Sequence, residues 1–183
     1  MCGSGTFVIE AAEVALDLAP GRSRSFAFEQ LKGFNAQAWA KLRDSVATPE
    51  ATPGFRFYGC DRDAGAVEMS RANAARAGVG EIAAFRHCAV SAATAPNGPA
   101  GLVIANPPYG QRIGDKKKLF GLYKSFGQTM LTRFGGWRIA VITNDASLAG
   151  ACGLPFETPF GPVSHGGQRV YLFLTGPLPS AAA

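Results

Sequence analysis

Asn106, Pro107, Pro108 and Tyr109 stand together in the stretch LVIANPPYGQRIG, and their types suit chemistry on a polar group held against a flat ring. The Asn106 side-chain oxygen and the Pro107 carbonyl are two acceptors for N–H hydrogens, and the tyrosine ring offers a face for stacking. The apolar run Leu102, Val103, Ile104 and Ala105 reads as a buried strand leading into them. Proline has no amide hydrogen for a sheet ladder and holds φ near one value, so Pro107 and Pro108 end the strand and stiffen the loop. A stiff polar-then-aromatic loop at the carboxyl end of a parallel strand is where α/β proteins do chemistry.

The chain opens on a second constellation, MCGSGTFVIEAA. Gly3 and Gly5 permit a tight turn and close backbone approach, and Thr6 stands where a helix begins, so amide hydrogens would point at a ligand. The GK[ST] ending of a Walker A loop is missing, and Val8 occupies the third glycine position of GxGxxG. By itself the pattern fits an ordinary strand-to-helix turn as well as a cofactor loop. Asp61 adds to it, because an acid ending the next strand can accept hydrogen bonds from both ribose hydroxyls of an adenosine-containing cofactor. Asp63 is expected to cap the helix that follows.

Elements must hold these residues, and the chain alternates strand-like and helix-like segments. Residues 5–18 have helical apolar spacing and stop at Pro20-Gly21; residues 22–54 form an aromatic-rich insertion expected to fold as short helices. RFYGCD reads as a strand, residues 64–77 as a returning helix stopped by Gly78, and IAAFRHCA and GLVIAN as further strands. Residues 119–134 form a long amphipathic helix whose Tyr123, Phe126 and Phe134 belong to the core, and WRIAVITN is another strand. TPFGPV, the turn SHGGQ and RVYLFL predict a closing hairpin. Such alternation specifies an α/β, Rossmann-like doubly wound sheet, mostly parallel with a C-terminal antiparallel hairpin.

The 183 residues, 47% hydrophobic, suffice for one domain with a sizeable core. Cys2, Cys60, Cys88 and Cys152 are scattered singly without a CxxC pair, so neither a metal site nor a disulfide framework is expected, and reduced cytoplasmic thiols are the simpler reading. No apolar run approaches membrane-spanning length, and no leader pattern opens the chain. A net charge of +5 permits a polyanionic partner without requiring one.

MCGSGTFVIEAA, the insertion FAFEQLKGFNAQAW, YGCDRD, NPPYGQRIG, LYKSFGQTM and GGQRVYLFL, in that order, resemble the methyltransferase domain of the THUMP-associated 23S ribosomal RNA guanine-N2 methyltransferases. The resemblance implies S-adenosylmethionine as cofactor and ribosomal RNA as partner. By it Cys2, Gly3, Ser4, Gly5, Thr6 and Asp61 would bind the cofactor, and Asn106, Pro107, Pro108 and Tyr109 would hold the target base, with Asn106 also against the cofactor. It also implies a first strand ahead of the MCGSGT loop that this sequence does not contain, so residues 1–183 are expected to be a single methyltransferase domain forming the C-terminal part of a longer protein.

The implied chemistry is methyl transfer to an exocyclic amine. Such an amine is a poor nucleophile because its lone pair is delocalised into the ring, so orientation against the methyl is most of the problem. Two acceptors on its hydrogens weaken that conjugation and aim the lone pair. NPPY serves adenine N6 in DNA as readily as guanine N2 in RNA, and a third reading is an inactive fragment with residual RNA binding. Lys116, Lys117 and Lys118 read either as a solvated helix entrance or as a phosphate contact, and Arg112 could meet phosphate, cofactor or a neighbouring acid. His87 and His165 are expected to be structural or exposed.

Overall fold

The computed structural model describes residues 1–45, 54–109 and 116–180 and divides into two compact units. One comprises residues 3–59 and 65–85, the other residues 1–2, 60–64 and 86–183. In the first, α1 (Thr6–Ala15) starts from Gly5, which takes a left-handed conformation with φ 85°. An added Cβ at Gly5 would stand 3.1 Å from both the Phe85 ring and the Ser70 Cβ, so conformation and crowding both demand glycine. The insertion contains a 3-10 turn at Ala27–Gln30 and α2 (Ala36–Ser45); its residues 46–53 lie outside the described residues. Strands β1 (Phe57–Asp61) and β2 (Ala83–His87), whose last two residues each are assigned to the second unit, pair as a two-stranded sheet, joined by α3 (Ala64–Arg76), which buries Val67, Ser70 and Ala74. Gly78, with φ 75°, follows α3 as its stop.

The second unit holds β3 (Leu102–Ala105), α4 (Lys116–Arg133), β4 (Arg138–Thr143), α5 (Ala146–Ala151), β5 (Phe160–His165) and β6 (Gln168–Leu174). Its sheet order is β3-β4-β6-β5: β3 runs parallel to β4, and the closing hairpin is antiparallel on β4. The hairpin turns at Gly166 and Gly167, both with positive φ, as SHGGQ requires. Helix α4 begins three residues before the apolar periodicity does, and its Tyr123, Phe126, Met130 and Phe134 join Ile139, Val141 and Leu148 in the core. Gly127 is where α4 meets the end of α5: an added Cβ would lie 1.8 Å from the Cys152 carbonyl oxygen. Short α5, which apolar spacing does not announce, is capped by Asp145, whose carboxylate accepts from the Ser147 amide at 2.8 Å.

One expectation needs correction. The run from Leu102 to Ala105 reads as a buried strand, but Leu102 is 54% and Ile104 38% exposed, whereas Ala105 belongs to the core and half-buried Val103 packs against it. With period-two alternation, only one face of β3 is covered among the described residues. No described helix is long and apolar enough to cross a membrane.

Candidate active site

Asn106 follows directly on β3. Because Ala105 pairs in parallel with Val141, the NPPY loop leaves the sheet at the same end as the residues that follow β4. Pro107 is fully buried and anchors the loop, Pro108 and Tyr109 are half-buried with Tyr109 packed on the core, and Asn106 is exposed. The Asn106 amide makes no hydrogen bond among the described residues, so its carbonyl oxygen is available to an incoming N–H. Beneath the loop lies Tyr123, whose buried hydroxyl has no well-formed hydrogen bond although the Thr143 side chain acts on it. Burial pushes this phenol up to about 12; Thr143 opposes the shift, while Cys152, Tyr109 and Asp145 add to it. Tyr123 is therefore a neutral, rigid support at neutral pH.

Asp61 ends β1 in the same unit. Its Oδ1 accepts from the Asp63 amide at 3.0 Å, and its Oδ2 lies 3.8 Å from the Met1 nitrogen. Asp63 immediately precedes α3, the position expected for a cap. The Met1 and Cys2 nitrogens both donate to the Cys60 carbonyl, Cys2 at 2.9 Å, and the Cys88 amide donates to the Asp61 carbonyl at 2.8 Å. Spacing alone does not reveal what this brings together: Cys2, Cys60 and Cys88 are neighbours. Burial raises the Cys60 thiol to about 11, with the Met1 nitrogen opposing and Cys88 and Cys2 reinforcing the shift. All four cysteines are free thiols. Among the described residues no group of three or more His, Cys, Asp or Glu is disposed to hold a metal ion.

In the other unit, Gly3, Ser4, Gly5 and Thr6 form the turn into α1. Its shape is imposed by α3: Ser70 Oγ donates to the Gly3 carbonyl at 2.8 Å, and Asn73 Nδ2 donates to the Ser4 carbonyl at 2.8 Å. In a trans peptide the carbonyl and the following N–H point oppositely, so the Ser4 and Gly5 amide hydrogens face away from α3. Together with the opening amides of α1, which has no side-chain cap, they make a donor-rich turn suited to a negatively charged or polar ligand. Ser4 and Thr6 face each other, Oγ to Oγ1 at 3.2 Å, and line a recess of about 220 Å³ with Glu10, Glu13, Asn73 and Arg76. Ser70 and Asn73 escape motif reading because their contribution is to hold another loop's backbone. Their three-residue spacing, which places both on one helix face, was the available signal.

Lys117 and Lys118 are exposed at the start of α4, the Lys116 side chain and Arg112 lie outside the described residues, and so does the His165 side chain. His87 is exposed, with its Nε2 2.9 Å from the Arg62 carbonyl oxygen, a structural role.

Residues 1–155 match the family model described as UPF0020: RMKL-like, methyltransferase domain. Among solved structures, SMU.472, solved in complex with SAH, is 29% identical with a TM-score of 0.85 over 99% of this chain and 48% of its own. A protein of Clostridium difficile 630 described as a possible methylase is 28% identical, with a TM-score of 0.87 over 100% of this chain and 48% of its own. A predicted N6-adenine-specific DNA methylase of Listeria monocytogenes is 28% identical, with a TM-score of 0.77 over 97% of this chain and 45% of its own. The chain thus spans about half the length of these relatives, and its α/β sheet with a parallel core and antiparallel closing hairpin is theirs.

Proposed function

Since the chain belongs to the family of RMKL-like methyltransferase domains, we propose that it transfers a methyl group from S-adenosylmethionine to the exocyclic amine of a nucleic-acid base. The observation that carries this reading is the NPPY loop: a buried Pro107 anchors an exposed Asn106 whose amide has no partner among the described residues. Asn106 Oδ1 and the Pro107 carbonyl receive the two amine hydrogens, Pro108 stiffens the loop, and Tyr109 stacks on the base. Cys2, Gly3, Ser4, Gly5 and Thr6 bind the cofactor through backbone amides, and Asp61 accepts from its ribose hydroxyls. The bound cofactor supplies an electrophilic methyl on a cationic sulfur, and these residues orient the amine towards it. SMU.472, solved with SAH, supports the cofactor assignment. Residues 1–183 act as one methyltransferase domain within a longer protein, carrying the insertion at 22–54.

Two acceptors fit this loop. Adenine N6 is favoured by the likeness to the Listeria protein described as N6-adenine-specific. Guanine N2 of 23S ribosomal RNA is favoured by the sequence resemblance, with Arg112, Lys116, Lys117 and Lys118 as phosphate contacts. Incubation with labelled S-adenosylmethionine and either ribosomal RNA or duplex DNA, followed by digestion to nucleosides, separates them. Labelled N2-methylguanosine supports the RNA reading and labelled N6-methyldeoxyadenosine the DNA reading. Label in neither, from a chain that binds the cofactor, counts against a base as acceptor.

A further inference from the structure

The insertion between α1 and β1 contributes no residue to the NPPY loop or to the turn at residues 3–6, yet it carries four aromatic rings, Phe26, Phe28, Phe34 and Trp39. Phe28 is the hub: its ring stacks on Phe26 at 5.4 Å, meets Trp39 edge-on at 5.0 Å and lies 6.0 Å from Phe34. Four rings in contact would ordinarily form a small core. Here neither the 3-10 turn nor α2 contains a buried residue, Phe28 is 41% exposed, and Leu31 and Leu42 are 66% and 58% exposed. Phe26, Phe34 and Trp39 are half-buried, so among the described residues the cluster's open side is formed by Phe28, Leu31 and Leu42.

Its charge says what can cover it. Residues 22–45 carry five cations, Arg22, Arg24, Lys32, Lys41 and Arg43, against Glu29 and Asp44. Arg22 is committed to Glu13 at 2.7 Å, and the Glu29 carboxylate is committed to the Phe26 amide at 3.0 Å. The Arg24 guanidinium lies 4.5 Å from the Phe26 ring centroid and Arg43 6.0 Å from that of Trp39, which extends the aromatic platform with flat cations. Arg24, Lys32, Lys41 and Arg43 make no ion pair among the described residues. A partly exposed aromatic cluster edged by a net positive charge matches unstacked bases on a phosphate backbone, whereas a neutral protein surface would leave that charge uncompensated.

We propose that this face is a docking surface for single-stranded RNA, with Phe28 stacking on a base and Lys32 and Lys41 contacting phosphates. RNA is chosen over DNA because loops with unstacked bases are an ordinary state of RNA, while duplex DNA must first be melted. The inference deepens the proposed function and rests on the reading of the chain as a nucleic-acid-base methyltransferase.

The test is fluorescence anisotropy of the full chain with a short labelled single-stranded RNA, and with the same sequence as DNA, across a salt series. SAH affinity is measured on every variant as a control for folding. Lys32→Glu with Lys41→Glu should weaken RNA binding about tenfold and flatten the slope of log affinity against log salt by about 1.4, near 0.7 for each phosphate no longer neutralised. Phe28→Ala should weaken binding about fivefold or more without changing that slope. Unchanged RNA affinity in both variants, or no binding by the wild type, overturns the proposal and leaves the face to a protein partner. Tighter binding of the DNA strand overturns the choice of RNA. RNA binding that behaves as expected in a chain unable to bind SAH supports the surface while counting against the proposed function.

Discussion

In the proposed function Asn106 serves the base and Asp61 the cofactor, so their substitutions should separate. Asn106→Ala should abolish methyl transfer and leave SAH affinity near that of the wild type, because the amide makes no internal hydrogen bond among the described residues that its loss would disturb. Parallel loss of both in calorimetry and a transfer assay would contradict that role. Asp61→Ala should cost about 1–3 kcal/mol of cofactor binding, the worth of charge-assisted hydrogen bonds to two hydroxyls; unchanged affinity would remove it from the site. NPPY and Asp61 are legible in sequence because each sits where a strand ends. Ser70 and Asn73 are not, since what they hold is the carbonyl row of a loop more than sixty residues earlier. The proximity of Cys2, Cys60 and Cys88 was hidden for the same reason: they are far apart in sequence, and only tertiary pairing joins them.

At the scale of elements, long periodic segments were readable and short ones were not. Helix α3 follows from its spacing and its Gly78 stop, and strands β1, β4 and β6 from their apolar runs. Six-residue α5 is too short for a 3.6-residue period to register, and only the Asp145 cap marks it. The half-exposure of β3 was illegible because a run of apolar residues looks the same whether one face is covered or two. Gly127 marks the tightest helix contact. Gly127→Ala forces the new methyl against the Cys152 carbonyl, 1.8 Å away, with no flexible side chain to yield. The helices must part, and chemical denaturation should report a loss of about 2 kcal/mol or more. A wild-type midpoint in that variant would mean that α4 and α5 do not meet at this position.

For the molecule as a whole, composition bounded size and class, whereas the division into two compact units is a property of contacts that no local pattern encodes. Global stability should carry the mark of its buried acids. Burial raises Cys60 to about 11, Cys152 to about 12 and Tyr123 to about 12, from ordinary values of 9.0, 9.0 and 10.0. Each group is held neutral in the fold, so its contribution is complete below the unfolded value and is lost as pH rises towards the folded one. Thermal melting should therefore show no loss from these three groups between pH 6 and 8 and a progressive fall between about pH 9 and 12; a midpoint that stays level to pH 12 would contradict the burial of these groups. Calorimetric titration of the folded chain with S-adenosylhomocysteine tests the central claim most directly. Saturable one-to-one binding, weakened by Asp61→Ala and untouched by Asn106→Ala, is the expected result. Absence of binding to a chain that circular dichroism shows to be folded would contradict it.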